Sequence, residues 1–257
     1  KNATSGALDT CGFPKDGYFF YQSVWAAKPM LHIFPHWNWP GREGQVIPVL
    51  AYTSCDSVEL FLNGKSLGVK AREFPRQGTA GGWNKYAKPE VFPTTADLHL
   101  QWDVPYEPGE LKAIGYKDGK KVCEETVRTA GEPARIVLST DREKLRAGTR
   151  DVAHLFVKIV DAQGNVVPGA ENLVKFDLQG AGKLLGVDNG NPASHESFQA
   201  NERKAFAGLA LAIVEASSDP GEFRISVTSE KLAAAKLVWR VEKDDAQKPP
   251  LFPVAAN

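Results

Sequence analysis

Cysteine is scarce here and poorly spaced for chemistry. Cys11, Cys55 and Cys123 stand far apart, are odd in number and include no C-x-x-C pair, which argues against a zinc knuckle or a redox motif. A single Cys55–Cys123 disulfide is one reading; three free buried thiols is the other, and the favoured one. Long apolar runs are missing too, since none approaches the ~18 residues that cross a bilayer. No signal peptide is visible, and a start at Lys1 is compatible with a targeting segment lost upstream. Net charge is also absent. Lys plus Arg and Asp plus Glu each total 31, so neither a dedicated nucleic-acid surface nor a polybasic membrane surface is expected. P-loop, dinucleotide and G-x-S-x-G fingerprints do not occur, and no cofactor is expected.

What is present reads as a folded, mainly β chain. With 257 residues, two domains are the better prior. Aromatics make up 10%, including six Trp, which suits either stacking on sugar rings or filling sandwich cores. The first element is nevertheless helical. Over residues 15–26, Tyr18, Tyr21 and Trp25 recur at i, i+3 and i+7 with Phe20 and Val24 alongside, while Pro14 and Asp16 suit the entrance and Pro29 the stop. So aromatic a helix must lie against something large. Residues 30–45 start strand-like and then run into Pro35, Pro40 and Gly41, which reads as a linker between units.

Beyond it the strand signals begin. Asn63-Gly64 and Asp118-Gly119 each sit between apolar alternations, the strongest short-range sign of a type I′ hairpin. Leu98, Leu100, Trp102 and Val104 alternate with His99, Gln101 and Asp103, giving one buried face and one wet face. Turn signals recur at the spacing of an immunoglobulin-like sandwich, without the disulfide and Trp of antibody domains. The expected architecture is two immunoglobulin-like antiparallel β-sandwiches in tandem, residues 45–130 and 131–243, followed by a Pro-rich tail over 244–257. Residues 72–93 are the one irregular piece expected in the first sandwich, long enough to be a loop with a purpose or a poorly ordered excursion.

Candidate sites are few. His32 and His36 have a spacing seen in zinc sites, but Pro35 breaks any helix that would bring them together, and no metal site is expected. Residues 187–196, "VDNGNPASHE", lack the acidic spacing of a calcium loop and read as tight turns. The Asn201-Glu202 dipeptide resembles a glycosidase acid/base but lies in a polar run, where a solvated Glu is the better reading. No catalytic carboxylate pair is found. In the Gly-rich stretch "QGTAGGWNKYAKPE", Trp83 and Tyr86 are the natural platform for stacking a sugar.

Three strings go further. "GALDTCGFPKDGYFFYQSVWAAKPMLHIFPHWNW", "DSVELFLNGKSLG" and "GVDNGNPASHESFQANERKAFAGLALAIV" resemble the C-terminal third of glycoside hydrolase family 2 proteins, in particular bacterial β-galactosidases. The resemblance covers residues 6–241. It implies that residues 1–44 are the end of a (β/α)₈ barrel, that the helix is the barrel's last, and that both catalytic glutamates lie upstream of Lys1. It implies a retaining mechanism for the parent and none for this chain alone.

Of the barrel rim, Ser5, Asp9, Phe13 and Lys15 are the candidate substrate-binding residues. Ser5 stands where β-galactosidases carry an Asn toward the galactose 6-hydroxyl. Ala3-Thr4-Ser5 replaces the Asn-Lys-Lys with which glucuronidases hold a carboxylate, which disfavours a uronic acid. For Asp9, Phe13 and Lys15, capping and docking of the helix is an equal alternative. The partners implied are the upstream barrel and a galactoside-type carbohydrate. A carbohydrate-binding sandwich, or a spacer that forms a homo-oligomer, stands as an alternative role. Family habit favours a periplasmic or secreted location.

Overall fold

The computed structural model describes residues 6–71 and 98–243. Among these residues there are sixteen strands and one helix, and the chain divides into two compact units, one within residues 3–130 and one from residue 131 onward. The expectation of a mainly β chain with a single leading helix is met.

In the first unit, α1 (Asp16–Trp25) is followed by β1 (Leu31–Phe34), β2 (Val46–Thr53), β3 (Ser57–Leu62), β4 (Lys65–Ala71), β5 (Leu100–Pro105), β6 (Glu110–Lys117) and β7 (Lys120–Arg128). Two antiparallel sheets result, β1-β2-β5 and β4-β3-β6-β7. Alternation explains them. In β5, Leu100, Trp102 and Val104 are buried while Gln101 and Asp103 face solvent. Val49 and Ala51 of one sheet share a core with Val58, Leu60, Leu111 and Ala113 of the other, and each large side chain so buried contributes ~1.5–3 kcal/mol. Strand β1 lies in the stretch read as a linker, as does Trp37. That indole is fully buried and donates its Nε1–H to Glu107 O at 2.9 Å.

Both predicted hairpins close as their dipeptides require. Asn63 and Gly64 have φ of 50° and 80°, Asp118 and Gly119 of 50° and 73°, the left-handed pair of a type I′ turn. Asn63 does more than turn. Its Oδ1 accepts the Glu110 N–H at 2.8 Å, packed so close to Gly109 that a Cβ there would sit 1.9 Å away. Strand β4, at the end of its sheet among the described residues, is almost wholly exposed, with Val69 at 59% between lysines at both ends of the strand.

The second unit holds β8 (Arg135–Thr140), β9 (Lys144–Arg146), β10 (Val152–Val160), β11 (Leu173–Gly180), β12 (Gly182–Asp188), β13 (Glu202–Lys204), β14 (Leu209–Ala216), β15 (Gly221–Thr228) and β16 (Ala235–Glu242). Its sheets are β12-β14-β10-β8 and β13-β11-β15-β16-β9. All pairs are antiparallel except β9 with β16. The buried Trp239 indole stacks on Phe223 at 5.3 Å and donates to Arg142 O at 2.8 Å. No helix among the described residues is long and apolar enough to cross a membrane.

One buried carboxylate organises the start of this unit. Asp161 accepts the N–H of Gly131 (2.9 Å) and of Asn165 (2.8 Å) and the Asn165 amide (3.0 Å). Burial opposes its charge, but these donors outweigh burial and hold its pKa down at about 2. Replacing Asp161 by Ala leaves buried N–H groups without partners. We expect a loss of about 2–3 kcal/mol in urea denaturation of the second unit.

Candidate functional site

Of the rim residues named from the sequence, Asp9, Phe13 and Lys15 are described, whereas Ser5, Trp83 and Tyr86 lie outside the described residues. Asp9 closes a tight loop. Its Oδ1 accepts the N–H of Cys11 at 2.8 Å and of Phe13 at 2.9 Å, and its own N–H reaches Phe13 O at 3.0 Å. Lys15 N–H bonds Ala7 O at 3.0 Å, so the loop delivers the chain to α1 with Lys15 as the N-cap residue. A carboxylate held by two backbone donors is a positioning group. As it stands, it is committed to shaping the loop.

The helix then docks through Phe19, which the i, i+3, i+7 pattern did not select, and Phe20, which stood alongside it. Phe19 stacks on the His32 ring at 3.7 Å, and Phe20 meets Tyr52 edge-on at 5.4 Å. Ser23 is buried and donates to Phe20 O at 2.7 Å. Tyr18, Tyr21, Val24 and Trp25 point outward, 38%, 46%, 54% and 77% exposed, with Tyr21 and Trp25 stacked on each other at 5.1 Å. Helix α1 is thus apolar on two faces, and the sheet beneath covers one.

His32 fastens that covered face. Its Nε2 lies 3.2 Å from Asp16 Oδ1 on α1 and its Nδ1 3.2 Å from Glu125 Oε1 on β7. Glu125 Oε2 accepts the Ile33 N–H at 2.5 Å. Two carboxylates facing both ring nitrogens call for the doubly protonated imidazolium, which donates to each. Burial works against that charge, but the hydrogen bonds to Asp16 and Glu125 outweigh it and push the pKa up to about 9. His36 has other partners: it stacks on Trp39 at 4.6 Å, and its Nδ1 accepts the Asn38 N–H at 3.2 Å. Among the described residues no group of three or more His, Cys, Asp or Glu side chains is placed to hold a metal.

The Asn- and Asp-rich loop of the second unit has a cation at its centre that sequence reasoning did not single out. The Arg203 guanidinium is fully buried. It donates to Asp188 Oδ1 at 3.0 Å, Asn189 Oδ1 at 3.2 Å and Glu196 O at 3.1 Å, and it lies over the Phe198 ring at 5.2 Å. Asp188 also takes the Asn189 N–H, Asn191 Oδ1 takes the Ala193 N–H, and Glu196 Oε1 takes the Lys204 N–H. The loop's oxygens therefore serve turns and an arginine. Nearby Glu202, on the short strand β13, faces Lys175 at 3.8 Å.

Two outcomes follow. His32 has a folded pKa above its unfolded value of about 6.5, so its contribution is fully present below pH 6.5 and disappears as pH rises through about 9. Stability of the first unit, measured by urea denaturation at stepped pH, should fall across that window in the parent and stay flatter in His32→Gln. Arg203→Ala leaves the buried Asn189 Oδ1 and the partly exposed Asp188 carboxylate without their donor and should destabilise the second unit by about 2–3 kcal/mol in the same assay.

The comparisons with known proteins agree along the chain. Residues 136–238 match glycoside hydrolase family 2 C-terminal domain 5, and residues 44–123 match a domain of unknown function, DUF4982. Beta-galactosidase BoGH2A of Bacteroides ovatus is 42% identical over 239 residues, 93% of this chain and 25% of that protein. A putative beta-glucuronidase of Formosa agariphila is 37% identical over 219 residues, 84% of this chain and 19% of that protein. The crystal structure of a beta-glycosidase from Bacteroides vulgatus superposes with a TM-score of 0.80 at 36% identity, covering 92% of this chain and 28% of the other. A family 2 member from Bacteroides cellulosilyticus gives 0.80 at 32% identity, over 92% and 32%. The chain spans a quarter or less of the length of the first two curated relatives. It is homologous to the C-terminal domains of glycoside hydrolase family 2 β-galactosidases and β-glucuronidases.

Proposed function

We propose that this chain is the C-terminal accessory part of a retaining family 2 β-galactosidase acting in carbohydrate metabolism. In this reading residues 1–44 complete a (β/α)₈ barrel, and residues 45–130 and 131–243 are sandwiches that brace it. The two glutamates of the double displacement, ~5–5.5 Å apart in retaining enzymes, belong to the barrel and not to this chain. The observation that carries the reading is the outward face of α1. A row of Tyr18, Tyr21, Val24 and Trp25 left in solvent loses ~1.5–3 kcal/mol per large side chain relative to burial. It fits a helix that closes a barrel on one side and rests on a sandwich on the other. Asp9, Phe13 and Lys15 then lie in the loop that enters this helix, on the side where barrel enzymes bind substrate.

A galactoside is preferred to a glucuronide on two grounds. The relative that is 42% identical bears the name β-galactosidase, and Ala3-Thr4-Ser5 lacks the cations that would pair a uronate. Galactoside and barrel are therefore the partners assigned, with periplasmic or secreted location following family habit.

The test compares the chain alone with the chain joined to its upstream barrel. Alone it should release no nitrophenol from nitrophenyl β-galactoside; joined, it should turn over the galactoside and not the glucuronide. Trp25→Ala sharpens the comparison. In the isolated chain it should change stability by no more than about 0.5 kcal/mol, whereas in the joined protein it should lower both melting temperature and activity. Equal neutrality in both would remove the barrel from the face of α1.

A further inference from the structure

Two thiols in the first unit meet where the fold has been shaped to admit them. Cys55, in the connection from β2 to β3, is 2% exposed; Cys123, on β7, is half-buried. Sixty-eight positions apart in sequence, their Sγ atoms lie 3.3 Å from each other. A disulfide bond is about 2.03–2.05 Å long, so roughly 1.2 Å of approach separates contact from bond.

Between them runs β6, and the residue under both sulfurs is Gly115. A Cβ at Gly115 would stand 2.6 Å from Cys55 Sγ and 2.7 Å from Cys123 Sγ, nearer than such atoms approach. This glycine is not among those with positive φ, so backbone geometry does not ask for it; the two sulfurs do. Strand β7 is adjusted as well. The β6–β7 register breaks between Gly115 and Tyr116: Cys123 faces Gly115, Lys121 faces Tyr116, and Val122 is the extra residue. Such a bulge re-aims the neighbouring side chain. On the other side the backbone of Cys55 is pinned. Its N–H donates to Thr53 Oγ1 at 3.0 Å, Thr53 Oγ1 donates to Met30 O at 2.8 Å, and Asp56 N–H donates to Tyr116 O at 2.9 Å.

We propose that Cys55 and Cys123 are a built modification site that forms a reversible intramolecular disulfide when a small-molecule disulfide is the oxidant. The half-buried Cys123, as thiolate, attacks one sulfur of the external disulfide and releases one thiolate from it. Cys55 then gives up its proton and attacks Cys123 Sγ, the protein S–S bond forms, and the second external thiolate leaves. Two protein thiols are oxidised, one external disulfide is reduced to two thiols, and the two protons pass to the leaving groups. Burial and the hydrogen bond to Cys55 push the Cys123 thiol up to about 12, so little thiolate exists near neutrality. The exchange is accordingly slow, which suits a structural cross-link rather than a redox catalyst. The link ties the β2–β3 connection to the strand whose Glu125 holds β1 and His32.

The experiment uses the full reduced chain with oxidised glutathione, followed to its plateau. Free thiols counted after acid quench and denaturation should fall from three to one. A non-reducing peptide map should join the Cys55 and Cys123 peptides. The melting temperature of the first unfolding step should rise by roughly 5 °C or more and return on reduction. Cys11→Ser should go from two thiols to none, and Cys123→Ser should form no internal link. Three thiols persisting at plateau, a stable glutathione adduct without ring closure, or a link through Cys11 would overturn the proposal. The parent peptide map decides the matter even where a serine variant fails to fold.

Discussion

A helix with two apolar faces needs two partners, and most of the first unit's N-terminal structure answers to that need. Helix α1 cannot be stabilised by propensity alone at ten residues, since isolated helices of that length are marginal in water. It must be packed. Phe19 and Phe20 supply the contact to β1 and β2, and the imidazolium of His32 ties the helix through Asp16 to a strand in the opposite sheet. The upstream loop is wound tight by Asp9, so the helix enters at a set angle. What is left over is the outer row of aromatics, and a functional reading of the chain has to account for it.

The cores beneath are ordinary in composition and specific in their polar contents. Asp161 and Arg203 are each almost fully buried, and each is surrounded by oppositely polar groups rather than left to neutralise. Buried charges of this kind add less net stability than a well-packed apolar substitute would, because burial strips their hydration. Their effect here is on geometry. Asp161 gathers the opening of the second unit and the turn at Asn165, and Arg203 gathers a loop that has no regular secondary structure of its own.

How far the sequence could be read depended on the range of the interaction. Asn63-Gly64 and Asp118-Gly119 announced their turns because φ > 0 at two adjacent positions is a local demand that few dipeptides meet. The β5 alternation was equally visible, although the strand opens at Leu100 and leaves Leu98 before it, 40% exposed rather than on the buried face. The parallel pairing of the short β9 with β16, about 95 positions later, had no local signature. The strand-like start at Met30 showed β1, but nothing local named its partner β2, which lies beyond two turns. In α1 the period was right and the face incomplete: with aromatics at 18, 19, 20, 21 and 25, counting positions cannot say which of them meets the sheet. His32 could be weighed only against His36 and a zinc spacing that was set aside, because its true partners, Asp16 and Glu125, are distant in sequence. Arg203 gave a single sign, a cation amid the loop's acids, and that sign is common on surfaces.

Among the described residues, strand β4 ends its sheet with a nearly bare outer surface, where the Gly68 carbonyl accepts the Trp102 Nε1–H at 3.3 Å. An open ladder of that kind is a template on which another molecule's strand can grow. Lys65 and Lys70 stand along it, and a second copy laid alongside would bring like charges together in a low-dielectric seam. Along this border, as far as the residues are described, two ammonium groups thus oppose strand addition by a like copy, and one of them, Lys70, also lies over the Trp102 ring at 5.7 Å.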